Sequence, residues 1–310
     1  MEATFLCCTY NRAKDLAEML ESVLGQEAGA YTCEVLVVDN NSRDETRQVV
    51  EAFTDRAPGR VRYLFEARQG KSNALNTGLA AVNSPIYVVA DDDLIFPPDY
   101  LGKVRDAFTA HPEIDCLGGR VLPIWRAAPP AWLTEAHYSA IALTGYGDQP
   151  IPIGAERPLC LIGGSCFRTE VVRKLGGYRG EVAPTPAQVG AIEDAVLCRE
   201  LYAAGSRGFY LPDLEIYHKV EAYRVEKRYH RRWHRDHGRN FGRVRDPSVD
   251  CGRQGPFNVP AYMYRQAVMD ACAMLRERLR GRPAEAFLIE THLWFLWGFW
   301  AERFRQAWRG

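Results

Sequence analysis

The chain has 310 residues, and its 39 basic and 39 acidic side chains give a formal net charge of zero. Apolar residues make up 47% of the sequence and charged residues 25%, which is typical of a globular protein. The neutral total excludes nucleic-acid binding through overall charge, so any basic site must be local. The length predicts one large α/β domain with an appended segment.

The two ends of the chain and its cysteines suggest a cytoplasmic protein. The first residues lack the basic and apolar regions of a signal peptide, and we interpret them as a strand. The nine cysteines are scattered without a CxxC pair, which argues against a zinc knuckle and predicts buried, reduced thiols. The aromatic segment 286–300 is too short to span a membrane, and we expect a buried or interfacial helix there.

Strand and helix patterns alternate through the first half of the chain. Apolar runs at 3–9, 34–39, 61–65 and 86–93 predict strands, and helical spacing of apolar residues follows the first three. This alternation predicts an α/β fold with a Rossmann-like, mostly parallel central sheet flanked by helices. In such sheets ligands bind at the carboxyl ends of the strands.

The second half of the chain is less regular. Its predicted elements are a strand at 159–167, a loop at 180–190, a helix from 193, a strand at 207–220 broken at Pro212, and two C-terminal helices at 260–280 and 284–308. We therefore expect a catalytic domain at 1–220 and a basic, aromatic and helical extension at 221–310.

Three adjacent carboxylates, Asp91, Asp92 and Asp93, follow the fourth predicted strand. Such neighbours repel one another unless a counter-charge is present. An isolated acidic triplet is more often a solvated turn. Its place at the carboxyl end of a strand instead favours a site for Mg²⁺ or Mn²⁺.

Two earlier segments suit a nucleotide. Asp39 ends the second strand, where an acid can bind a ribose or base, or simply begin a turn. The sequence TYNRAKD after the first strand lacks GxGxxG, so NAD and FAD are disfavoured and a mononucleotide is left open. Arg68, Gly70 and Lys71 suit a diphosphate, although a solvated loop is an equally good interpretation.

Other candidate residues lie in the second half. Glu193 and Asp194 begin a predicted helix. They are either a favourable acidic cap, or one of them is a general base. His218, at a strand end, is either a metal or phosphate ligand or an ordinary histidine. Trp125 and Trp132 either stack on an acceptor sugar or pack in the core.

The segment 221–245 is strongly basic and contains interleaved aromatic residues. It can be a solvated helix face, or it can bind the donor diphosphate, anionic lipid head groups or an anionic acceptor. Nucleic acid is the weakest of these partners because the chain is neutral overall.

Four ordered segments resemble a known family: FLCCTYNRAKDLAEMLESVLGQ, EVLVVDNNSRDET, GKSNALNTGL and VVADDD. They are similar to the family-2 inverting glycosyltransferases of the GT-A fold, over roughly residues 3–220. The resemblance implies a metal-dependent, in-line transfer of one sugar with inversion. The donor would be a nucleotide diphosphate sugar, with a UDP-sugar favoured, and the acceptor group a hydroxyl.

The resemblance also implies roles for particular residues. Asp194 would be the catalytic base, and Asp93 and His218 would hold Mn²⁺ or Mg²⁺. Together with the loop reasoning above, the expected donor-binding residues are Thr9, Asn11, Asp39, Arg68, Lys71, Asn73, Asp91 and Asp92. The expected acceptor-side residues are Glu193, Trp125 and Trp132.

The chain departs from the processive members of the family. They carry QxxRW, whereas residues 229–233 here are YHRRW, and no transmembrane segments are evident, so we expect single additions. The acceptor can be a glycan, a lipid-linked glycan or a small molecule. We expect a cytoplasmic enzyme with peripheral contact at the inner face of the cell membrane; its oligomeric state is left open.

Two alternatives belong to other classes. A nucleotidyltransferase would carry a Gly-rich, basic signature directly after the first strand, and TYNRAKD does not supply it. A catalytically inactive, membrane-associated scaffold would be expected to have lost the acids, yet Asp91, Asp93 and Asp194 are present.

Overall fold

The computed structural model describes residues 2–27, 29, 31–180, 189–190 and 192–308. Its strands are β1 (Ala3–Thr9), β2 (Cys33–Asp39), β3 (Val61–Phe65), β4 (Ile86–Asp91), β5 (Leu94–Ile95), β6 (Cys116–Trp125), β7 (Ile151–Ile153), β8 (Cys166–Arg168) and β9 (Gly208–Val220). Its helices are α1 (Ala13–Leu24), α2 (Thr46–Arg56), α3 (Lys71–Ala81), α4 (Tyr100–Ala110), α5 (Thr169–Lys174), α6 (Glu193–Ala203), α7 (Lys227–Val244), α8 (Ala261–Leu279) and α9 (Pro283–Ala307). Short 3₁₀ helices occupy Glu135–Ile141, Ala222–Val225 and Pro256–Asn258.

The strands form one sheet in the order β3-β2-β1-β4-β8-β6-β9-β5, with β7 paired to β9. The pairings among β1, β2, β3 and β4 are parallel, whereas β8 joins β4 in the antiparallel direction. The pairs β6–β8, β5–β9 and β7–β9 are also antiparallel. The α/β sheet flanked by helices that the sequence predicts is confirmed, and the antiparallel strands come from the second half.

The parallel strands are continuous apolar runs because helices cover both of their faces. Every residue of β2 is buried, and so are all but one of β1. On α3, Leu75 and Leu79 pack into the same core as Leu6 of β1 and Leu36 of β2. This packing fixes the strand ends, and therefore the side chains that follow them.

Two details of the second half differ from the sequence-based expectations. The strand expected at 159–167 is confined to β8, because Gly164 adopts a left-handed backbone with φ 78°, which an extended strand does not allow. No break occurs at Pro212, which lies inside β9. The basic segment forms the helix α7, which agrees with its interpretation as a helix face. Residues 181–188 of the predicted loop lie outside the described residues.

The chain divides into two compact units. Of the described residues, the first unit contains 2–124, 142–180 and 193–219. The second contains 125–141, 189–190, 192 and 220–308. This division changes at Val220 and places the segment 125–141 with the C-terminal helices, whereas a catalytic domain at 1–220 stays a prediction.

The second unit is organised by a close crossing of α7 and α9. A Cβ atom on Gly238 would overlap the carbonyl oxygen of Phe295, and one on Gly298 would overlap that of Arg235. The two backbones therefore touch because neither glycine has a side chain. Within the described part of the chain, no helix combines the length and apolar character that a membrane crossing requires.

Gly78 marks an equally close approach in the first unit, where α3 lies against the sheet. A Cβ there would overlap Leu6 Cδ1 and lie 2.9 Å from Val38 Cγ2. Alanine gains roughly 1 kcal/mol of helix propensity over glycine, but overpacking costs about 1–3 kcal/mol. We expect Gly78→Ala to lower the free energy of unfolding measured in urea.

The matched control is Gly102→Ala in α4, where the nearest atom to an added Cβ is 4.0 Å away. This variant should be as stable as the wild type or more stable. If Gly78→Ala proved equally stable, the core around Leu6 would be able to repack, and the close approach would not constrain the fold.

Candidate active site

The carboxyl ends of β1, β2 and β4 bring the predicted site residues to one edge of the sheet. Thr9 is paired with Asp39 across β1 and β2, and Cys8 with Asp91 across β1 and β4. Since these pairs are parallel, polar side chains distant in sequence become neighbours. The predicted donor-binding residues Thr9, Asp39 and Asp91 therefore share one edge.

Asp39 and Asn11 both bind the turn after β2. The buried Asp39 carboxylate accepts the backbone N–H of Ser42 at 2.8 Å and the Tyr63 hydroxyl at 2.9 Å. Burial, and then this bond to a carboxylate, raises the pKa of Tyr63 to about 12. Asn11 accepts the Arg43 N–H at 2.7 Å and donates its own N–H to the Ser42 hydroxyl at 3.0 Å. Ser42 therefore stabilises this turn.

The loop before α3 is held by two residues, Glu66 and Asn40, for which the sequence predicted no such role. Glu66 binds Arg68 through two hydrogen bonds of 3.0 Å, and these bonds, with the Thr77 hydroxyl, lower the pKa of Glu66 to about 2. Asn40 donates to the Arg68 carbonyl at 2.8 Å and accepts the Gly70 N–H at 2.8 Å. The sequence signal that could have indicated this role of Asn40 is an amide directly after a strand, together with the glycine of the loop that it binds.

Arg68 lies in this loop, and Asn73 lies in the first turn of α3. The Arg68 side chain is 71% exposed, so its guanidinium can exchange Glu66 for another anion. Asn73 donates to the Gln69 carbonyl at 3.1 Å in the first turn of α3. Their contact with a donor therefore stays a prediction.

Lys71 links the end of β4 to the start of α6. Its Nζ lies 2.9 Å from Asp91 Oδ1 and 3.4 Å from Glu193 Oε1. Burial acts to lower the pKa of Lys71, but Asp91, Asp194 and Glu193 outweigh it and hold the pKa well above its ordinary value. Lys71 is therefore a charged ammonium joining two acidic segments far apart in sequence.

Arg12 provides the counter-charge for the other two carboxylates, and the sequence analysis missed it. Its Nε lies 3.2 Å from Asp92 Oδ1 and its Nη1 lies 3.3 Å from Asp93 Oδ2. The Thr9 hydroxyl donates to Asp92 Oδ2 at 2.8 Å. Burial and Asp93 raise the pKa of Asp92, and Arg12 and Thr9 oppose that rise. A basic residue shortly after β1, at the acidic edge, was the signal for Arg12.

Asp93 and His218 fit the two protein ligands of a hard divalent cation. β5 and β9 pair Leu94 with His218, and this register places His218 Nε2 3.2 Å from Asp93 Oδ2 in a buried position. Adjacent ligands of an octahedral ion with bonds near 2.1 Å lie about 3 Å apart. The described residues contain no ready-made cluster of three or more metal-ligating side chains. Phosphate and water oxygens would supply the other ligands, as is usual for Mg²⁺.

Glu193 and Asp194 lie in the first turn of α6, where the helix dipole favours negative charge. Glu193 is almost fully buried, and its Oε2 has no hydrogen-bond partner among the residues described. The half-buried Asp194 has a raised pKa because of burial; Lys71 opposes the rise, and Glu193 and Asp91 add to it. A carboxylate whose pKa is raised in this way suits proton transfer near neutral pH.

Trp125 and Trp132 lie in the second unit and are engaged in packing there. The Trp125 ring lies 6.4 Å from that of Tyr138. The Trp132 ring lies 4.7 Å from Phe287 and 5.4 Å from His137. Packing accounts for these contacts, and an acceptor role for either tryptophan stays a prediction.

The Arg12 contacts predict a stability effect. Arg12→Gln removes the cation between two buried carboxylates, and we expect a loss of about 3 kcal/mol in the free energy of unfolding. Urea denaturation near neutral pH measures this loss. In the control Arg47→Gln, which breaks an exposed pair with Glu51, we expect the midpoint to stay unchanged. Equal midpoints for the two variants would contradict the role given to Arg12.

Comparison with known proteins points to one family. The sequence profile described as "Glycosyl transferase family 2" matches residues 4–175. The chain is 26% identical over 232 residues to the glucosyl-dolichyl phosphate glucuronosyltransferase of Haloferax volcanii, covering 73% of this chain and 72% of that protein. It is 33% identical over 143 residues to the succinoglycan biosynthesis protein ExoO of Rhizobium meliloti, covering 43% and 40%.

Solved structures share the fold at low sequence identity. The mannosyltransferase PcManGT from Pyrobaculum calidifontis, in complex with GDP-Man and Mn²⁺, matches with TM-score 0.61 and 21% identity over 99% of this chain and 87% of that one. TarS 1–349 of S. aureus in complex with UDP-GlcNAc matches with TM-score 0.56 and 17% identity over 99% and 92%. The expected GT-A architecture is thereby confirmed. Since the family profile covers more than half of the sequence, the chain belongs to glycosyl transferase family 2 and is a glycosyltransferase.

Proposed function

We propose that this enzyme transfers one sugar, with inversion, from a nucleotide diphosphate sugar to an acceptor hydroxyl. A UDP-sugar is the favoured donor. The observation that carries the proposal is the Lys71 bridge, which joins Asp91 at the end of β4 to Glu193 at the start of α6. This bridge holds the acids at the end of β4, which suit a metal ion bound to a diphosphate, beside Asp194, which suits proton abstraction.

The donor is proposed to lie along the carboxyl ends of β1, β2 and β4. Asp39 would contact the nucleoside, with Thr9 and Asn11 lining the same pocket. Each carboxylate oxygen can accept more than one hydrogen bond, so Asp39 can bind a ribose while it keeps Ser42 and Tyr63. The diphosphate would lie near Lys71.

Neighbouring side chains would complete the diphosphate site. Arg68 would exchange Glu66 for a phosphate oxygen, and Asn73 would donate an amide hydrogen. Asp93 and His218 would hold Mn²⁺ or Mg²⁺, with Asp91 and Asp92 close by. The ion would offset the negative charge that collects on the departing diphosphate.

The chemical step is a single displacement at the anomeric carbon. The acceptor oxygen forms the new bond to this carbon while the bond to the diphosphate oxygen breaks on the opposite face. The proton of the acceptor hydroxyl passes to the Asp194 carboxylate, which must therefore be ionised beforehand. Glu193 would position the acceptor.

The acceptor is proposed to be a growing glycan, a lipid-linked glycan or a small molecule bearing a free hydroxyl. For a lipid-linked acceptor the enzyme would work in the cytoplasm, at the inner face of the cell membrane. The relative from Haloferax volcanii carries a dolichyl phosphate in its name, which supports the lipid-linked choice.

Donor and metal binding can be tested by thermal shift. We expect a UDP-sugar with Mn²⁺ to raise the unfolding midpoint of the wild type, because a ligand at 100 times its Kd adds about 2.7 kcal/mol to stability. Asp93→Ala should lose the metal-dependent part of this shift. The control Asp106→Ala removes an exposed carboxylate and should keep it. An unchanged metal-dependent shift in Asp93→Ala would contradict the assigned metal site.

The pH dependence of turnover tests the base. Because Asp194 has to be ionised and its pKa is raised, kcat should fall as the pH drops through that pKa. Lys71→Met removes a charge that lowers the pKa of Asp194, so the acid limb of the pH profile should move to higher pH. Asp194→Asn should reduce kcat by about 10²- to 10⁴-fold.

Lys103→Met, at an exposed lysine of α4, is the control and should leave the acid limb in place. If the limb also stayed in place in Lys71→Met while Asp194→Asn kept wild-type turnover, a different group would be the base.

A further inference from the structure

The outer face of α8 carries a stripe of bare apolar side chains. Val268, Leu275 and Leu279 are 66%, 57% and 81% exposed, and Cys272 between them is also exposed. The spacing of four, three and four residues places all of them on one side of a helix. Met269, 55% exposed, widens this stripe. We call these five residues the α8 face.

The opposite side of α8 is the side that packs. Met263 belongs to the buried cluster that includes Leu296 and Phe299 of α9. Asp270 and Glu277 are buried as well. One side of α8 therefore packs in the second unit, and the apolar residues of its other side are exposed to solvent.

The α8 face is surrounded by positive charge. Between residues 261 and 282 the chain has five arginines and two carboxylates, and the carboxylates are the buried Asp270 and Glu277. The arginines are all exposed: Arg265, Arg276, Arg278, Arg280 and Arg282. Two carboxylates offset only part of this charge: three arginines lie within 3.7 Å of Glu277, and Arg278 lies 3.0 Å from Glu290 of α9. The exposed surface is therefore both apolar and cationic.

We infer that the α8 face docks onto an anionic lipid bilayer. Such a surface offers negative head groups to arginines and an acyl boundary to leucine and valine side chains, which is the pattern of helices that lie in the membrane interface. A second copy of this chain fits less well, because a symmetric pairing would bring two sets of arginines together. The inference rests on the proposed function only in one respect: docking on a bilayer would give the enzyme access to a lipid-linked acceptor.

The α8 face also replaces the surface that the sequence suggested for an interfacial helix. In the aromatic segment of α9, Trp297 is 56% exposed, but Trp300 stacks on Tyr264 with 5.2 Å between ring centres. Trp294 is partly buried and donates to Glu290 at 3.3 Å. The three tryptophans therefore do not form one exposed face, whereas the apolar residues of α8 do.

Vesicle flotation of the full chain tests the inference. We expect the protein to float with phosphatidylcholine vesicles that contain phosphatidylglycerol and to remain in solution with phosphatidylcholine alone. The double variant Leu275→Ser/Leu279→Ser should bind these vesicles at least about tenfold more weakly than the wild type, because apolar burial is lost. Arg276→Gln should weaken binding about fivefold, and added salt should weaken wild-type binding.

Trp297→Ser is the matched control, since it removes one exposed apolar ring from α9 and should leave binding unchanged. Binding lost in this variant but kept in the double leucine variant would overturn the assignment to α8. Equal flotation with neutral and anionic vesicles, or none with either, would overturn it as well.

The exposed cysteines allow a second measurement. An environment-sensitive fluorophore on Cys272, in a Cys251→Ser background, should shift to the blue when anionic vesicles are added. The same label on Cys251, in a Cys272→Ser background, should not shift. Light scattering that shows a dimer broken by Leu279→Ser, with no fluorophore shift on vesicles, would assign the face to a second copy and refute the lipid proposal.

These measurements are independent of catalysis. Vesicle binding needs no nucleotide sugar, and donor hydrolysis by the leucine variant without vesicles should equal that of the wild type. A protein that binds vesicles but turns over no donor would contradict the proposed reaction alone. A protein that turns over donor but ignores vesicles would contradict the docking surface alone.

Discussion

Five carboxylates crowd together at the end of β4 and the start of α6, and their mutual repulsion is the constraint on which the site depends. Two cations from separate segments oppose it: Lys71 from the first turn of α3 and Arg12 from the residue before α1. Both are placed by helices that pack on the parallel strands. The charge balance of the site thus depends on the same helix–sheet packing that stabilises the fold.

The same repulsion also raises the proton affinity of one of these acids. Burial and the acidic neighbours raise the pKa of Asp194, and the positive charge of Lys71 limits this rise. Arg12 contacts the Asp93 oxygen that also faces His218, so a cation already occupies part of the region where a metal would be favourable. A charged arginine close to the site proposed for a divalent ion would weaken metal binding in the absence of a donor, and the donor's phosphates would then restore the balance.

The parts of the fold that the sequence predicted are those with a regular apolar pattern, such as β1, β2 and the buried side of α1. The helix α7 was only one of several interpretations of the basic segment, because its buried positions include His230, Asp236 and Gly238, which give no hydrophobic periodicity. Arg12 and Asn40 were missed because their roles depend on strands that meet only in three dimensions. The acids at the end of β4 could be anticipated, since both their position and their chemistry are legible in one short segment.

The strand β9 places His218 in the site through a fixed register with two other strands. β9 pairs with β7 at Tyr210 and with β5 at His218, and the side chains of a strand alternate between faces. Inserting or deleting one residue between these two positions would turn His218 to the other side of the sheet, away from Asp93. Changes of length should therefore be tolerated in the segments flanking β9, while inside it only substitutions can be accepted. Evolution of new specificities in this enzyme would then proceed through the loops, with β9 inherited at fixed length.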